Sequence, residues 1–232
     1  MESTYLKDNL VALQQRIQSA CETAKRPGAD VTLIAASKTR DAATISAAYA
    51  LGLRHYGENY VDEAIAKRAG LSDTLLEATT WHFIGRIQSN KTRQIAEHFD
   101  WVHTLDREKI AQRLSNQTSH PLNVLIQVNI TDDTNKGGVT SEQAAELVAC
   151  TLAMPNLKLR GLMTILDPAA PPRASYDSMA QLAERIGSTL SPQQQAEWGA
   201  LSMGMSGDLD DAIAAGATHI RIGTDLFGPR GT

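Results

Sequence analysis

Short runs rich in β-branched and aromatic residues alternate with helical stretches eight times along this chain. No Pro/Gly-rich linker interrupts the series. The runs are VTLIAAS, RHYGEN, TTWHFIG, WVHTL, LNVLIQVNI, LKLRGLMTI, WGALSMGM and THIRIGTDLF. Helical stretches are predicted over 41–51, 61–69, 90–99, 106–116, 141–153, 176–189 and 208–215. Parallel strands need connections long enough to hold a helix, so this order predicts a parallel sheet covered by helices. Eight units in 232 residues favour an α/β fold of the closed (β/α)8, or TIM-barrel, kind. An open doubly wound sheet is the alternative, but the first βα turn has no G-x-G-x-x-G fingerprint.

Ahead of the first strand, Leu6, Leu10, Leu13, Ile17 and Cys21 recur at helical spacing. They predict one amphipathic helix with Ser3 or Thr4 as N-cap and Pro27-Gly28 as its stop. The expected organisation is a single domain over 1–232, with 1–27 laid against the barrel as an extra helix. Asp41 and Ser141 read as N-caps of later helices, and Gly52 as the residue just past a helix end. One Pro-rich loop, DPAAPPRAS, follows the sixth strand.

Composition excludes several classes of function. A net charge of −4 leaves no basic stripe for nucleic acid. No run approaches the ~20 apolar residues of a membrane span. The start, MESTYLKDNL, has no apolar core of a signal peptide, so a cytoplasmic protein is expected. Cys21 and Cys150 fall in helical stretches and read as reduced, structural thiols.

Parallel barrels carry their reacting residues at the carboxyl ends of strands. Lys38 stands at the end of VTLIAAS, on the face shared by Thr32, Ile34 and Ala36. Partial burial favours a neutral amine, which attacks carbonyl carbon to form a Schiff base. Strand-end lysines also simply reach for solvent, and this stretch alone leaves both readings open. The last two units add a second feature. LSMGMSGDLDDAI offers Ser202, Gly204, Ser206 and Gly207 before a helix, and IRIGTDLFG offers Gly223 and Thr224. Loops after strands seven and eight often hold phosphate in barrel enzymes, although ordinary βα turns also use Gly and Ser. An amine and a phosphate cradle at one mouth suggest a phosphorylated aldehyde, pyridoxal 5′-phosphate (PLP). Arg221 lies on the inward face of the eighth strand if Ile220 and Ile222 pack outward. It is a donor only, so against a pyridine nitrogen it would keep that nitrogen unprotonated and the ring a weak electron sink. A salt bridge to a neighbouring acid is the other reading of Arg221.

The stretches LIAASKTR, HYGENYVDEA, WHFIGRIQSNK, HFDWVHTLDREKIAQRL, LRGLMTI and LSMGMSGDLDDAIAAGATHIRIGTDLFG together resemble the YggS-type pyridoxal phosphate homeostasis family. The resemblance implies a barrel like that of alanine racemase, with PLP held as an aldimine on Lys38. It further implies phosphate contacts at Ser202, Gly223 and Thr224, Arg221 facing the pyridine nitrogen, and Asn59 and His82 lining the pocket. The implied role is storage, buffering or delivery of PLP within the cell, to apo-enzymes in particular, without firm catalytic turnover. Arg86 departs from the family, where proline is more usual. The departure bears on the shape of the third βα loop and adds a cation near the mouth, to steer a phosphate ligand or simply to stand in solvent, the second being the expectation.

Two rivals have their own markers. A PLP-dependent racemase needs acid/base groups on both faces of the substrate carbon. Lys38 serves one face, no base for the other is evident, and the sequence stops soon after the eighth strand without room for a second domain. At most a side activity is expected, and a monomer is the default. A metal-dependent hydrolase would draw on His82, His103, Glu58 and Asp106, but their spacing defines no ligand set, and no metal is expected.

Overall fold

The computed structural model describes residues 2–131, 136–167 and 169–229. Among these, eight parallel strands close into a barrel in sequence order. They are β1 (Thr32–Ala36), β2 (His55–Glu58), β3 (Thr80–Phe83), β4 (Trp101–Leu105), β5 (Leu122–Gln127), β6 (Leu157–Met163), β7 (Ala200–Ser202) and β8 (His219–Ile222). The chain opens with α1 (Glu2–Thr23), and α2 (Ala42–Ala50) follows β1. After β2 come α3 (Val61–Arg68) and α4 (Asp73–Glu77), then α5 (Thr92–His98), α6 (Glu108–Gln117) and α7 (Ser141–Leu152). The last helices are α8 (Pro172–Gly187), α9 (Pro192–Gln195), α10 (Leu209–Ala214) and α11 (Thr224–Phe227).

The predicted barrel and leading helix are both present, with local corrections. Helix α1 already runs from Glu2, so Ser3 and Thr4 lie inside it rather than capping it. The cap of α7 is Thr140, one residue before the expected Ser141. Thr140 accepts from the Gln143 amide, while the Gln143 side chain accepts from the Thr140 amide. Helix α8 begins at Pro172 and absorbs half of the Pro-rich loop, since proline suits a first helical turn; Pro168 of that loop lies outside the described residues. The Asp41 cap is as expected, with its carboxylate accepting from Thr44 N at 2.8 Å. Gly52 takes φ +97 just past α2, as a C′ residue should. Helices α4, α9 and α11, of five residues or fewer, escaped prediction because their lengths give no periodicity.

Alternation along the strands sorts side chains into two layers. Tyr56, Trp81, Phe83, Val102, Leu201, Ile220 and Ile222 belong to one apolar cluster shared with the helices. Their neighbours His82, His103, Ser202 and Arg221 are also buried but lie outside it. Register pairs His82 with Gly57 and Trp101, and Ile34 with Arg221, around the inside of the barrel. Helix α1 lies against α10 and α11, with Arg16 donating to Ser206 O at 2.8 Å. That contact ties the amino-terminal helix to the loop after β7.

Candidate functional site

Lys38 sits in the turn just past β1, half-buried. No hydrogen bond or ion pair engages its ammonium among the described residues. Its neighbours in the chain are held tightly. Ser37 N donates to Gly57 O at 2.9 Å. The Ser37 hydroxyl donates to Glu58 Oε1 at 2.6 Å. Lys67 Nζ, reaching in from α3, donates to Ser37 O at 2.7 Å and pairs with Glu58. On the other side, Thr39 N donates to Glu63 Oε1 at 2.5 Å. Arg40 Nη2 closes the turn on Gly228 O at 2.7 Å. Thr39 adopts φ +67, a conformation that a β-branched residue rarely takes. Backbone strain of that kind persists where surrounding contacts over-determine it, and here they do. The outcome is a free amine on a fixed backbone.

The buried Glu58–Lys67 pair went unnoticed in the sequence, where Lys67 resembles any lysine late in a helix. A usable signal existed: Glu58 ends a buried strand, and a carboxylate there needs a partner. Burial pushes the Glu58 carboxyl above the ordinary carboxylate range, with Lys67 opposing that shift.

Gly223 meets this turn from β8. A Cβ on Gly223 would lie 3.4 Å from Ala36 O, so the ends of β8 and β1 adjoin. Thr224 is exposed at the start of α11. Amides in a first helical turn have no partner within the helix, so those of Thr224 and Asp225 are available to other acceptors. After β7, Gly204 holds φ +96, and a Cβ there would collide with Ala212 Cβ at 2.6 Å. The loop is further fixed by Met205 N donating to Asp208 at 2.6 Å and by Tyr176 Oη donating to Asp208 at 2.9 Å.

Arg221, on β8, is buried, and its guanidinium reaches the carboxyl ends of β7 and β6. Nη1 donates to Ser202 Oγ at 2.7 Å and Nη2 to Thr164 O at 2.9 Å. No carboxylate pairs with it among the described residues, so the salt-bridge reading of Arg221 does not apply. Burial lowers its pKa to about 10, which leaves it protonated at neutral pH. Ser202 Oγ also meets His103 Nδ1 at 2.8 Å. His103 Nε2 meets His82 Nδ1 at 2.9 Å, and His82 Nε2 meets His55 Nδ1 at 3.0 Å. Burial holds His82 and His103 well below the usual imidazole pKa. It also lowers His55, and it brings His219 down to about 4. Thus His82 and Ser202 stand with Arg221 inside the barrel, while Lys38, Gly223 and Thr224 gather at its rim.

Asn59 lies to one side, in a cleft at the ends of β2 and β3 with Tyr60, Phe83, Arg86, Gln88 and Lys91. Its Oδ1 is buried without a partner. Arg86 is exposed there. His82 and His103 bond to each other, Glu58 pairs with Lys67, and Asp106 pairs with Arg107. The residues named for a metal site therefore face separate partners, and none of the described residues forms a cluster able to hold a metal. Among the described residues, no helix is long and apolar enough to cross a membrane.

Known proteins share this fold. The chain matches the family described as "Alanine racemase, N-terminal domain" over residues 9–231. It is 48% identical to the pyridoxal phosphate homeostasis protein of Pseudomonas aeruginosa, over 97% of this chain and 96% of that protein. PipY of Synechococcus elongatus PCC7942, solved with PLP bound, superposes with a TM-score of 0.83 at 35% identity, covering 96% of this chain and all 100% of PipY. Alanine racemase from Corynebacterium glutamicum has the same barrel, with a TM-score of 0.68 at 14% identity over 99% of this chain and 63% of the enzyme.

Proposed function

The chain belongs to the pyridoxal phosphate homeostasis family, and from that premise we propose that it binds PLP and stores or delivers it inside the cell. The observation that carries this reading is the unpartnered Lys38 amine on its clamped turn, two residues past the strand end that Gly223 adjoins. Such an amine is positioned to capture an aldehyde. Gly223 and Thr224 offer main-chain donors and a hydroxyl to the phosphate, which suits an anion that prefers N–H groups at a helix start. The Ser202 hydroxyl is already committed to Arg221 and His103, so its contribution is to hold Arg221 from below. Asn59 Oδ1, buried without a partner, completes the polar lining on the β2 side. His82 acts on the pocket through His103, Ser202 and Arg221.

Bound PLP supplies a carbonyl that condenses with amines and a ring that stabilises carbanions when its nitrogen is protonated. Arg221 has only N–H groups to offer, so it stabilises the unprotonated ring nitrogen and suppresses carbanion chemistry. This chain therefore keeps the cofactor while restraining its reactivity. The recipients in this reading are apo-enzymes that need PLP, and the protein works as a cytoplasmic monomer.

Delivery is measured by mixing the PLP-loaded protein with a purified apo-enzyme and following the return of that enzyme's activity. Transfer faster than from an equal concentration of free PLP supports the carrier role, and no transfer contradicts it. Incubation with L-alanine in deuterated water separates the carrier from a racemase. Rapid deuterium entry at the α-carbon would favour the enzyme.

A further inference from the structure

The row of imidazoles beneath Arg221 links His82 to the pocket, and hydrogen-bond bookkeeping fixes its direction. Arg221 Nη1 is a donor, so Ser202 Oγ accepts at 2.7 Å. The serine carries one proton of its own, and its other partner is His103 Nδ1 at 2.8 Å. Ser202 is buried, with 1% exposure, and a hydroxyl proton without an acceptor there would be costly. The proton therefore points at His103 Nδ1, which must be bare, and the ring proton of His103 sits on Nε2. His103 Nε2 then donates to His82 Nδ1, and His82 Nε2 donates to His55 Nδ1. Every step leaves a single choice. The row ends at half-buried His55, at the amino-terminal start of β2.

Packing keeps the rings from turning over. Trp101 stacks on His82 with centroids 5.8 Å apart and lies 5.0 Å from His219. His219 is tied separately, with Thr218 Oγ1 2.8 Å from its Nδ1. The charged and titratable groups around the row are Arg221 and His219 within the barrel, Asp100 near His55, and the Tyr176–Asp208 pair beyond Arg221.

We propose that His55, His82 and His103 are positioning residues for Arg221, a file of Nε2–H tautomers that turns the Ser202 hydroxyl away from the guanidinium and so keeps it an acceptor. With Thr164 O accepting on the second nitrogen, the guanidinium plane is then fixed along two edges. The remaining N–H donors of Arg221 are left for a ligand. This rests on the reading that Arg221 faces the cofactor ring.

Long-range proton–nitrogen NMR of the apo-protein labelled with 15N-histidine at pH 7.5 reads the tautomers directly. Neutral Nε2–H patterns for His55, His82 and His103 are expected, and an Nδ1–H pattern at His82 or His103 would overturn the proposal. The consequence for the cofactor is read from two variants. His103→Leu removes the acceptor for the Ser202 proton, whereas His103→Asn restores an acceptor near the Nδ1 position. His103→Leu should weaken PLP binding about tenfold and shift the nitrogen resonance of 15N-pyridine-labelled PLP, by analogy with the cost of an unsatisfied buried donor. His103→Asn should restore both. Unchanged affinity and resonance in His103→Leu would refute the positioning role while leaving PLP binding intact. Failure of the wild-type protein to bind PLP would instead refute the proposed function, whatever the tautomers show.

Discussion

The two buried layers of this barrel differ in chemistry, apolar outside and, inside, Ile34 among a set of polar side chains. Between sheet and helices, Trp81 and Tyr56 stack with centroids 5.5 Å apart, and Phe83 meets Phe99 at 5.2 Å. Inside the barrel, three histidines, a serine and an arginine form a continuous file of hydrogen bonds. Barrel interiors of this size are usually filled by Val, Ile and Leu. Apolar packing is non-directional and sets stability, while hydrogen bonds are directional and set where a group points. The outer layer therefore holds the barrel shut, and the inner layer fixes the Arg221 guanidinium along two edges.

The contrast breaks most severely if the outer layer is emptied. Trp81→Ala should lower the unfolding free energy by about 3–5 kcal/mol, read as a lower urea midpoint. Lys67→Met tests the junction between layers and rim, since it strands Glu58 as a buried carboxyl without its partner. A loss of about 3 kcal/mol is expected, with much of it recovered when Glu58→Gln is added. Recovery would show that the pair serves the placement of the Lys38 turn more than stability.

Acid separates the layers more finely. His55, His82, His103 and His219 have folded pKa values below the ordinary 6.5, so the unfolded chain binds more protons than the fold between those values. Their contribution is complete above pH 6.5 and is lost as pH falls, down to about 4 for His219. Between pH 6.5 and 5.5, stability should fall by about 1 kcal/mol for each histidine still neutral in the fold. Trp81→Ala should keep that slope, because the outer layer does not titrate. A slope that vanished along with the tryptophan would mean the layers are not separate.

The outer layer was legible in the sequence because its residues announce themselves by period: Ile220 and Ile222, or Trp81 and Phe83, alternate with residues of another kind. The same alternation placed Arg221 inward and Lys38 at a strand end. What periodicity cannot carry is partnership across the barrel. His82 and His103 are 21 residues apart, and His103 and Ser202 are 99 apart. Their joining depends on register around a closed sheet, which one strand's pattern does not encode. Lys67 was hidden for a related reason: a long side chain reaches back from a helix surface into the space beneath a neighbouring strand end.

The assignment of Lys38 as the anchoring amine is tested most directly by borohydride reduction of the PLP-loaded protein, followed by proteolysis and peptide mass mapping. A single reduced pyridoxyl adduct on the peptide carrying Lys38 is expected, with no adduct there in Lys38→Ala. An adduct confined to another lysine, or none in a protein that still binds PLP, would contradict it.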